Sequence, residues 1–278
     1  MEKDFGYLKV YSYTKYMKSL FILGSGKCGE SFLNRLFKNN KNLECYDESR
    51  PLLQSYYKFI KYNNLKIDDS PFFSTIKKAI KNTNKKKKIY LESSSFLAFH
   101  SLDLVKKFNS KIIILIRNPN HVSQDLTTSG WYKSKYNKNN NNYALGYQGL
   151  ATSAHNKHHN FSRIAPRNKY FSKWNKLQPL VKAKWYWNEV NTDLLKSIKK
   201  MNKQNYKIFK IEEFEYQNYQ EICKWLKIKP NLSKIQFILM NNIERFKNTK
   251  IIKKKIDLLK KFKSKTEKQY YPENFNKK

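Results

Sequence analysis

Two short apolar runs dominate the hydrophobic pattern of this chain. Residues 20–23 read LFIL and residues 111–116 read KIIILI, and no polar position alternates inside either run. Strands that are buried on both faces of a parallel sheet have continuous apolar sequences of this kind. Each run ends at residues that favour a turn, and apolar residues at helical spacing then follow. The pattern therefore predicts two core strands, at about 19–24 and 111–116, each leading into a helix.

The rest of the chain repeats this alternation of strand and helix. A third strand is predicted at about 88–92, where the sequence reads KIYLE. Apolar residues at helical spacing predict helices at about 30–39, 51–62, 71–81, 98–108, 120–127 and 174–200. Strands that alternate with helices form a parallel sheet covered on both faces. The predicted fold class is therefore α/β, with a central parallel sheet flanked by helices.

The turn after the first strand is rich in glycine. It reads GSGKCGES and comprises Gly24, Ser25, Gly26, Lys27, Cys28, Gly29, Glu30 and Ser31. A strand, a glycine loop and a helix start in this order form a cradle for phosphate, because backbone N–H groups and the helix N-terminus face the anion. Lys27 adds a mobile positive charge that can hold a phosphate or sulfate oxygen. The alternative is an ordinary strand-to-helix turn, whose glycines need no ligand.

The spacing of this loop is almost that of a Walker A motif. Gly24, Gly29 and Ser31 fit the frame G-x-x-x-x-G-K-[ST], but Glu30 stands where that motif has its lysine. A carboxylate at this position repels the β- and γ-phosphates of ATP, so hydrolysis of a nucleoside triphosphate is disfavoured. The basic residue lies three positions upstream instead, at Lys27.

The second core strand ends in Arg117-Asn118-Pro119. Pro119 suits the first turn of a helix, where its missing N–H has no partner to lose. Arg117 at the carboxyl end of a central strand faces the ligand crevice of an open α/β sheet. Only six of the 57 basic residues are Arg, and Lys cannot replace Arg as a planar clamp on phosphate. The alternative is a structural Arg that caps the strand or pairs with Glu92 or Asp125.

Together these segments resemble the donor-binding motifs of sulfotransferases that use 3′-phosphoadenosine 5′-phosphosulfate. The glycine loop is similar to their 5′-phosphosulfate loop, G-x-[KR]-[ST]-G-[ST]-[ST], and the segment RNP is similar to their 3′-phosphate motif, R-[DN]-P. The resemblance implies this co-substrate, without a metal, and a P-loop-like sulfotransferase architecture. The residues that it assigns to the donor are Ser25, Gly26, Lys27, Cys28, Gly29, Glu30, Ser31, Arg117 and Ser123.

Two positions depart from the family pattern. The family's serine falls eight positions after the Arg, which is Asp125 here, and Ser123 lies two positions earlier. Either Ser123 substitutes through a shifted helix start, or Arg117 and backbone groups alone hold the 3′-phosphate. Cys28 stands where the family often has Ser or Thr, and its place beside Lys27 and a helix start is expected to lower the pKa of its thiol.

The resemblance extends over residues 18–230, which form the predicted sulfotransferase-like domain. Residues 207–214 look like a late strand of the family, and residues 221–228 look like the helix after it. Residues 128–173 combine an Asn-rich stretch with scattered aromatic residues, and we interpret them as an acceptor-binding insertion, with a surface insertion as the alternative. Residues 231–278 form a Lys-rich, helical C-terminal extension.

Two catalytic residues are predicted from the needs of sulfuryl transfer, a cation for charge on the transferred group and a base for the acceptor's proton. Lys27 is the predicted cation. Glu92 is the predicted base, because it ends a strand and because YLESSS resembles the E-K-[ST]-[AP] segment of glycan sulfotransferases, apart from Ser93 and Ser95. A strand-end carboxylate paired with Lys is the alternative for Glu92. His100, on the following helix, is a weaker candidate.

Composition limits the partners and the compartment. The net charge of +36 comes almost entirely from Lys, with no regular interleaving of stacking residues, so no specific nucleic-acid partner is expected. Three unpatterned cysteines indicate neither a disulfide scaffold nor a zinc site, and His155, His158 and His159 lack a fourth ligand. The first residues show no signal peptide, and no apolar run approaches the roughly 18 residues of a transmembrane helix. We therefore expect a cytoplasmic protein.

The predicted function is transfer of a sulfuryl group to an acceptor hydroxyl, preferably that of a glycan or glycolipid. The glycan preference rests on Glu92 and on the aromatic insertion, which carries Arg163 and Arg167. Two alternatives stay open, a P-loop-like nucleotide or nucleoside kinase and a noncatalytic polyanion-binding protein. The kinase is disfavoured because Glu30 stands where its lysine is required. A salt titration separates the polyanion-binding protein from the enzyme, because binding driven by charge alone falls steeply with salt.

Overall fold

The fold is that of a computed structural model, which describes residues 18–132, 163–166, 174, 176–240, 259–260 and 262–276. Its strands are β1 (Ser19–Leu23), β2 (Leu43–Asp47), β3 (Ile89–Ser93), β4 (Lys111–Ile116) and β5 (Tyr206–Lys210). They form one sheet in the order β2-β3-β1-β4-β5, and each neighbouring pair is parallel.

Helices flank this sheet. They are α1 (Glu30–Phe37), α2 (Pro51–Asn63), α3 (Ser70–Lys85), α4 (Ser101–Phe108), α5 (Pro119–Thr128), α6 (Pro179–Ile198), α7 (Tyr216–Leu226), α8 (Lys234–Met240), α9 (Lys265–Tyr270) and α10 (Glu273–Asn276). Short 3₁₀ turns lie at Ala98–His100, Lys203–Asn205 and Ile211–Glu213. α1 packs on β1, β2 and β3, while α5 lies along α6. In the described part of the chain, no helix is both long and apolar enough to cross a membrane.

The α/β class and the parallel sheet are confirmed. Every residue of β1 is buried, as is every residue of β4 except Lys111, which is only partly exposed. β1 lies between β3 and β4, so both of its edges are also paired. Burial on both faces explains why these two strands have continuous apolar sequences.

β2 is a strand that the sequence pattern does not predict. It lies at an end of the sheet, and its burial falls from Leu43, which is buried, to Asp47, which is exposed. LECYD therefore has neither a continuous apolar run nor a strict alternation. The missed strand matters for the site, because Glu48 follows it directly.

Three other predicted elements differ at their ends. The helix expected at 98–108 begins as the 3₁₀ turn, and the late strand expected at 207–214 stops at Lys210. α6 begins at Pro179 rather than at 174, since proline favours the first turn of a helix.

The roles predicted for the insertion at 128–173 and for the C-terminal extension at 231–278 stay predictions. Most of the insertion at 128–173 lies outside the described residues, and so does a large part of the extension at 231–278. Where the extension is described, it contains α8, α9 and α10.

A buried ion pair joins α6 to the C-terminal extension. Lys184 Nζ lies 2.9 Å from Glu267 Oε1, and the two side chains are only 3% and 2% exposed. Lys184 also donates to the carbonyl of Leu259, at 2.9 Å. The last helices are therefore anchored to the same helix that packs on α5.

Replacing Lys184 by Met is expected to lower the free energy of unfolding by about 3–5 kcal/mol, because Glu267 is left buried without its cation. Urea denaturation measures the loss. The control is Lys86→Met, which breaks an ion pair of the same 2.9 Å length with Glu44, but with the Lys86 side chain 61% exposed. That exposed pair is expected to contribute about 1 kcal/mol or less. Equal losses in the two variants would contradict the prediction.

Candidate functional site

The carboxyl ends of the parallel strands bring the predicted site residues to one edge of the sheet. The glycine loop follows β1, Glu48 follows β2, Ser95 follows β3 and Arg117 follows β4. β1 separates β3 from β4 in the sheet, so the chain crosses to opposite sides of β1. Ligands of open α/β sheets bind in the crevice at such a switch point.

The glycine loop has the backbone conformation of an anion nest. Gly26, Lys27 and Gly29 have φ values of 83°, 58° and 96°, in the left-handed region. Successive turns of this kind direct neighbouring N–H groups to a common point. Gly24 has no space for a side chain, because a Cβ there would lie 2.4 Å from Glu30 Oε1 and 2.9 Å from the carbonyl oxygen of Leu115.

The carboxylate of Glu30 occupies this nest. The Gly26 amide donates to its Oε1 at 2.8 Å, and the Cys28 amide donates to its Oε2 at 2.9 Å. Burial raises the pKa of Glu30, while these backbone hydrogen bonds act in the opposite direction. The loop amides thus hold a carboxyl group in this structure, and that group is the protein's own side chain.

Ser25 and Cys28 form the floor of the loop. Both are fully buried, and Ser25 Oγ lies 3.2 Å from Cys28 Sγ. Burial, followed by the charge of Glu30, raises the pKa of the Cys28 thiol well above its ordinary value. The expected lowering of this pKa is therefore wrong, because the cost of burying a thiolate exceeds the help from nearby positive charge.

Lys27 and Ser31 lie on the outer side of the loop. Both are exposed, whereas Gly29 is buried where α1 begins. The Lys27 ammonium forms no ion pair with the described residues. It is therefore available to a ligand above the loop.

Arg117 fastens the glycine loop to α5. Its side chain is 2% exposed, and Nη1 donates to the carbonyl of Lys27 at 2.8 Å and to Asp125 Oδ2 at 2.6 Å. The pairing with Asp125, which was the structural alternative for Arg117, is thus present in this structure. Trp187 of α6 donates through Nε1 to the carbonyl of Arg117, at 3.0 Å.

Ser123 has an internal partner. It is fully buried, and its hydroxyl donates to the carbonyl of Pro119, one helical turn earlier, at 2.5 Å. Asp125, and not Ser123, lies against Arg117. A donor contact from Ser123 stays a prediction, and it requires that this hydroxyl leave its present acceptor.

Glu92 is enclosed by hydrogen bonds. It is 0% exposed, and its Oε1 accepts from the Ser49 amide at 3.1 Å, the Ser49 hydroxyl at 2.6 Å and Gln54 Nε2 at 2.6 Å. Its Oε2 accepts from the hydroxyl of Tyr90. Among the described residues no lysine pairs with Glu92. This carboxylate holds β3 to the start of α2, and its catalytic role stays a prediction.

Glu48 is a second carboxylate, which the sequence analysis missed. It accepts a hydrogen bond from Ser95 Oγ at 3.0 Å, and a Cβ on Gly26 would lie 3.6 Å from that same Ser95 oxygen. Burial raises the pKa of Glu48 to about 7, and the charge of Glu30 adds to the rise. The available signal was its place after a strand, but that strand, β2, was itself not predicted.

Lys58 is a buried lysine that the sequence analysis also missed. It is 0% exposed, and its Nζ donates to the hydroxyl of Tyr186 at 2.5 Å. Burial lowers the pKa of Lys58 to about 7, while the charges of Glu48 and Glu30 counteract the shift. Lys58 is therefore close enough to Glu48 and Glu30 for their charges to act on it. No feature of the sequence indicated that Lys58 is buried, because lysine on an amphipathic helix is ordinarily exposed to solvent.

His100 belongs to the core rather than to this crevice. It is 1% exposed, its Nδ1 lies 3.3 Å from Asp103 Oδ2, and the rings of Phe72 and Phe73 pack against it. Within the described ranges no group of His, Cys, Asp and Glu could hold a metal ion. His155, His158 and His159 lie outside those ranges.

Two solved structures are similar to this chain in fold. A sulfotransferase domain from the curacin biosynthetic pathway is 12% identical, with a TM-score of 0.49, and the match covers 88% of this chain and 97% of that domain. A sulfotransferase domain from the olefin synthase of Synechococcus PCC 7002 is 12% identical, with a TM-score of 0.47, covering 88% of this chain and 94% of that domain. No family model and no curated protein matches the chain.

Proposed function

We propose that the protein is a sulfotransferase, which moves a sulfuryl group from 3′-phosphoadenosine 5′-phosphosulfate to an acceptor hydroxyl. The observation that carries the proposal is the glycine loop, whose Gly26 and Cys28 amides hold a carboxylate at 2.8 and 2.9 Å. A phosphate uses the same donors at the start of a helix. We expect the 5′-phosphate of the donor to bind where this carboxylate now lies.

Cations around the loop support an anionic donor. Lys27 is exposed at the rim, Arg117 contacts the loop from beneath, and Lys58 lies within reach of the charges of Glu30 and Glu48. In this proposal Arg117 turns from Asp125 towards the 3′-phosphate when the donor binds. Lys27 approaches the bridging and sulfuryl oxygens, where negative charge grows in the transition state.

The proposed reaction is an in-line displacement at sulfur. The acceptor oxygen attacks the sulfur atom, the bond from sulfur to the bridging phosphate oxygen breaks, and the bisphosphate leaves with the electron pair. The proton of the acceptor hydroxyl passes to a carboxylate, for which Glu48 and Glu92 are the candidates. Glu48 suits the role because a base with a pKa of about 7 is half ionised near neutral pH.

A glycan or glycolipid hydroxyl is the acceptor class that we propose. Trp131 and Tyr132 follow α5, and the guanidinium of Arg163 lies 5.3 Å from the centre of the Trp131 ring. Trp131 in turn packs on Tyr186, the partner of Lys58. These residues are at most 7% exposed, so they form the packed base of the segment after α5 and do not contact the acceptor themselves. The acceptor proposal rests on the net charge of +36, which attracts sugars that carry acidic groups.

The proposal predicts that 3′-phosphoadenosine 5′-phosphate stabilises the protein by about 3 kcal/mol when its concentration is about 100 times its dissociation constant. ATP is expected to stabilise far less, because it lacks the 3′-phosphate and meets Glu30 with more charge. Thermal unfolding with each nucleotide measures the difference. Stronger stabilisation by ATP than by the bisphosphate would overturn the sulfotransferase assignment.

Two controls sharpen this measurement. Arg117→Ala is expected to reduce the preference for the bisphosphate over AMP, whereas Arg35→Ala, which removes an exposed arginine of α1, leaves the preference unchanged. A salt titration addresses the polyanion-binding alternative, since charge-driven binding falls steeply with salt. Loss of all discrimination between the bisphosphate and other polyanions at moderate salt would favour that alternative.

A further inference from the structure

We propose that Glu30 is a displaceable internal anion, which fills the glycine loop of the unliganded protein and competes with the ligand's phosphate for the same amides. The identity of the ligand rests on the proposed function. The competition between Glu30 and a phosphate rests only on the hydrogen bonds that Glu30 makes in the glycine loop.

Glu30 reaches the nest from the first residue of α1. Its side chain folds back over the preceding loop, and its oxygens accept from Gly26 and Cys28 at 2.8 and 2.9 Å. Glu30 is only 7% exposed in this position. Displacement therefore requires rotation of the side chain away from the amides of Gly26 and Cys28.

The contacts of Glu30 are with the loop amides and not with a cation. Among the described residues no Lys or Arg lies within ion-pair distance of its carboxylate. Lys58 acts on Glu30 only through its charge, without an ion-pair contact. A buried carboxylate in this situation is held by hydrogen bonds to its charged form and by the positive end of the helix. Those are also the features by which the loop binds phosphate, so one occupant removes what the other needs.

The loop amides cannot serve two occupants at once. Gly26 and Cys28 each have one amide hydrogen, and both donate it to Glu30, at 2.8 and 2.9 Å. An incoming phosphate must therefore move the carboxylate out. The apparent affinity of any phosphate ligand is lowered by the fraction of molecules in which Glu30 is seated.

This competition selects ligands by their additional contacts. Free phosphate or pyrophosphate gains little beyond the loop and cannot displace Glu30 easily, whereas a nucleotide that also contacts Arg117 can. The same competition favours release of the bisphosphate product, because the returning carboxylate satisfies the loop amides as the phosphate leaves. Glu30 thus acts as a specificity-determining residue of the loop.

The test measures binding of inorganic pyrophosphate and of 3′-phosphoadenosine 5′-phosphate by calorimetry. Glu30→Thr removes the internal anion, and Glu30→Gln keeps the size and hydrogen-bonding oxygen while removing the charge. Loss of a competing charged hydrogen-bond acceptor is expected to tighten pyrophosphate binding about tenfold or more in Glu30→Thr, and less in Glu30→Gln. Glu44→Gln is the control for the change in net charge. Glu44 lies on β2, where its carboxylate pairs with Lys86, and its replacement is expected to leave binding unaltered.

Release kinetics give a second readout. The bisphosphate is expected to dissociate more slowly from Glu30→Thr than from the wild type, by a factor similar to the gain in affinity. Unchanged or weaker pyrophosphate binding by a folded Glu30→Gln would overturn the proposal and make Glu30 a support of the loop. Tighter pyrophosphate binding without preference for the bisphosphate over ATP would retain the competition and reject the sulfotransferase assignment.

Discussion

Glu48→Gln is expected to lower turnover by roughly 10²–10⁴ while leaving binding of the bisphosphate intact, because a general base contributes a rate factor of that size. Glu48 accepts from Ser95 Oγ at 3.0 Å, beside the glycine loop, so its carboxylate adjoins the proposed site of transfer. The amide of Gln preserves the shape and the hydrogen bond from Ser95 but cannot take the acceptor's proton. Steady-state kinetics and bisphosphate titration measure the two effects.

The pH dependence identifies this carboxylate. Its pKa is raised to about 7, so the base form accumulates as the pH rises through that value. Activity of the wild type is therefore expected to increase from pH 6 to pH 8, about one pH unit on either side of that pKa. The rise is expected to disappear in Glu48→Gln and to persist in Glu44→Gln, which removes a more distant carboxylate of β2.

Glu92→Gln decides between the two candidate bases. If Glu92 is the base, its variant loses roughly 10²–10⁴ in rate with donor binding intact, and Glu48→Gln keeps its activity. The four hydrogen bonds on Glu92 make the opposite result the expected one. In that case Glu92→Gln is expected to lose stability, because Ser49 and Tyr90 lose a charged acceptor.

Lys27→Met is expected to reduce turnover by roughly 10²–10³ with only a modest loss of donor affinity, since its charge acts mainly on the transition state. Met is similar in length to Lys. At the left-handed φ of 58° its backbone strain is also similar to that of Lys, so the substitution removes mainly the charge. The Lys27 carbonyl also stays in place as an acceptor for Arg117, so the loop keeps its anchor. Single-turnover kinetics with saturating donor measure the effect.

Two lysines serve as comparisons for Lys27. Lys38→Met removes an exposed charge at the end of α1 and is expected to leave turnover unchanged. Lys58→Met removes the buried amine that contacts Tyr186, so it reports whether a second cation shares the role. A loss of donor affinity as large as the loss of turnover in Lys27→Met would make Lys27 a binding residue only.

Local sequence was sufficient where a strand lies in the interior of the sheet. The runs that form β1 and β4 are apolar throughout because both faces are covered, and the residues after them are loops at the carboxyl edge. The glycine loop and Arg117 could be recognised for this reason. The contact of Arg117 with Asp125 was among the alternatives. The predicted start of the helix after Arg117 brings Asp125, eight positions further along the chain, within reach of the guanidinium.

The sequence by itself determined the α/β class, the glycine loop and the position of Arg117, since each depends on residues close together in the chain. The tertiary structure alone decided which side chains meet at the loop. Glu48 follows β2 and Lys58 lies on α2, and both are brought near Glu30 by contacts between segments distant in sequence. Burial sets both pKa values near 7. The position of the Glu30 carboxylate likewise depends on its side-chain torsion angles and on the space left by Gly24, which has no side chain. The sequence pattern contains neither.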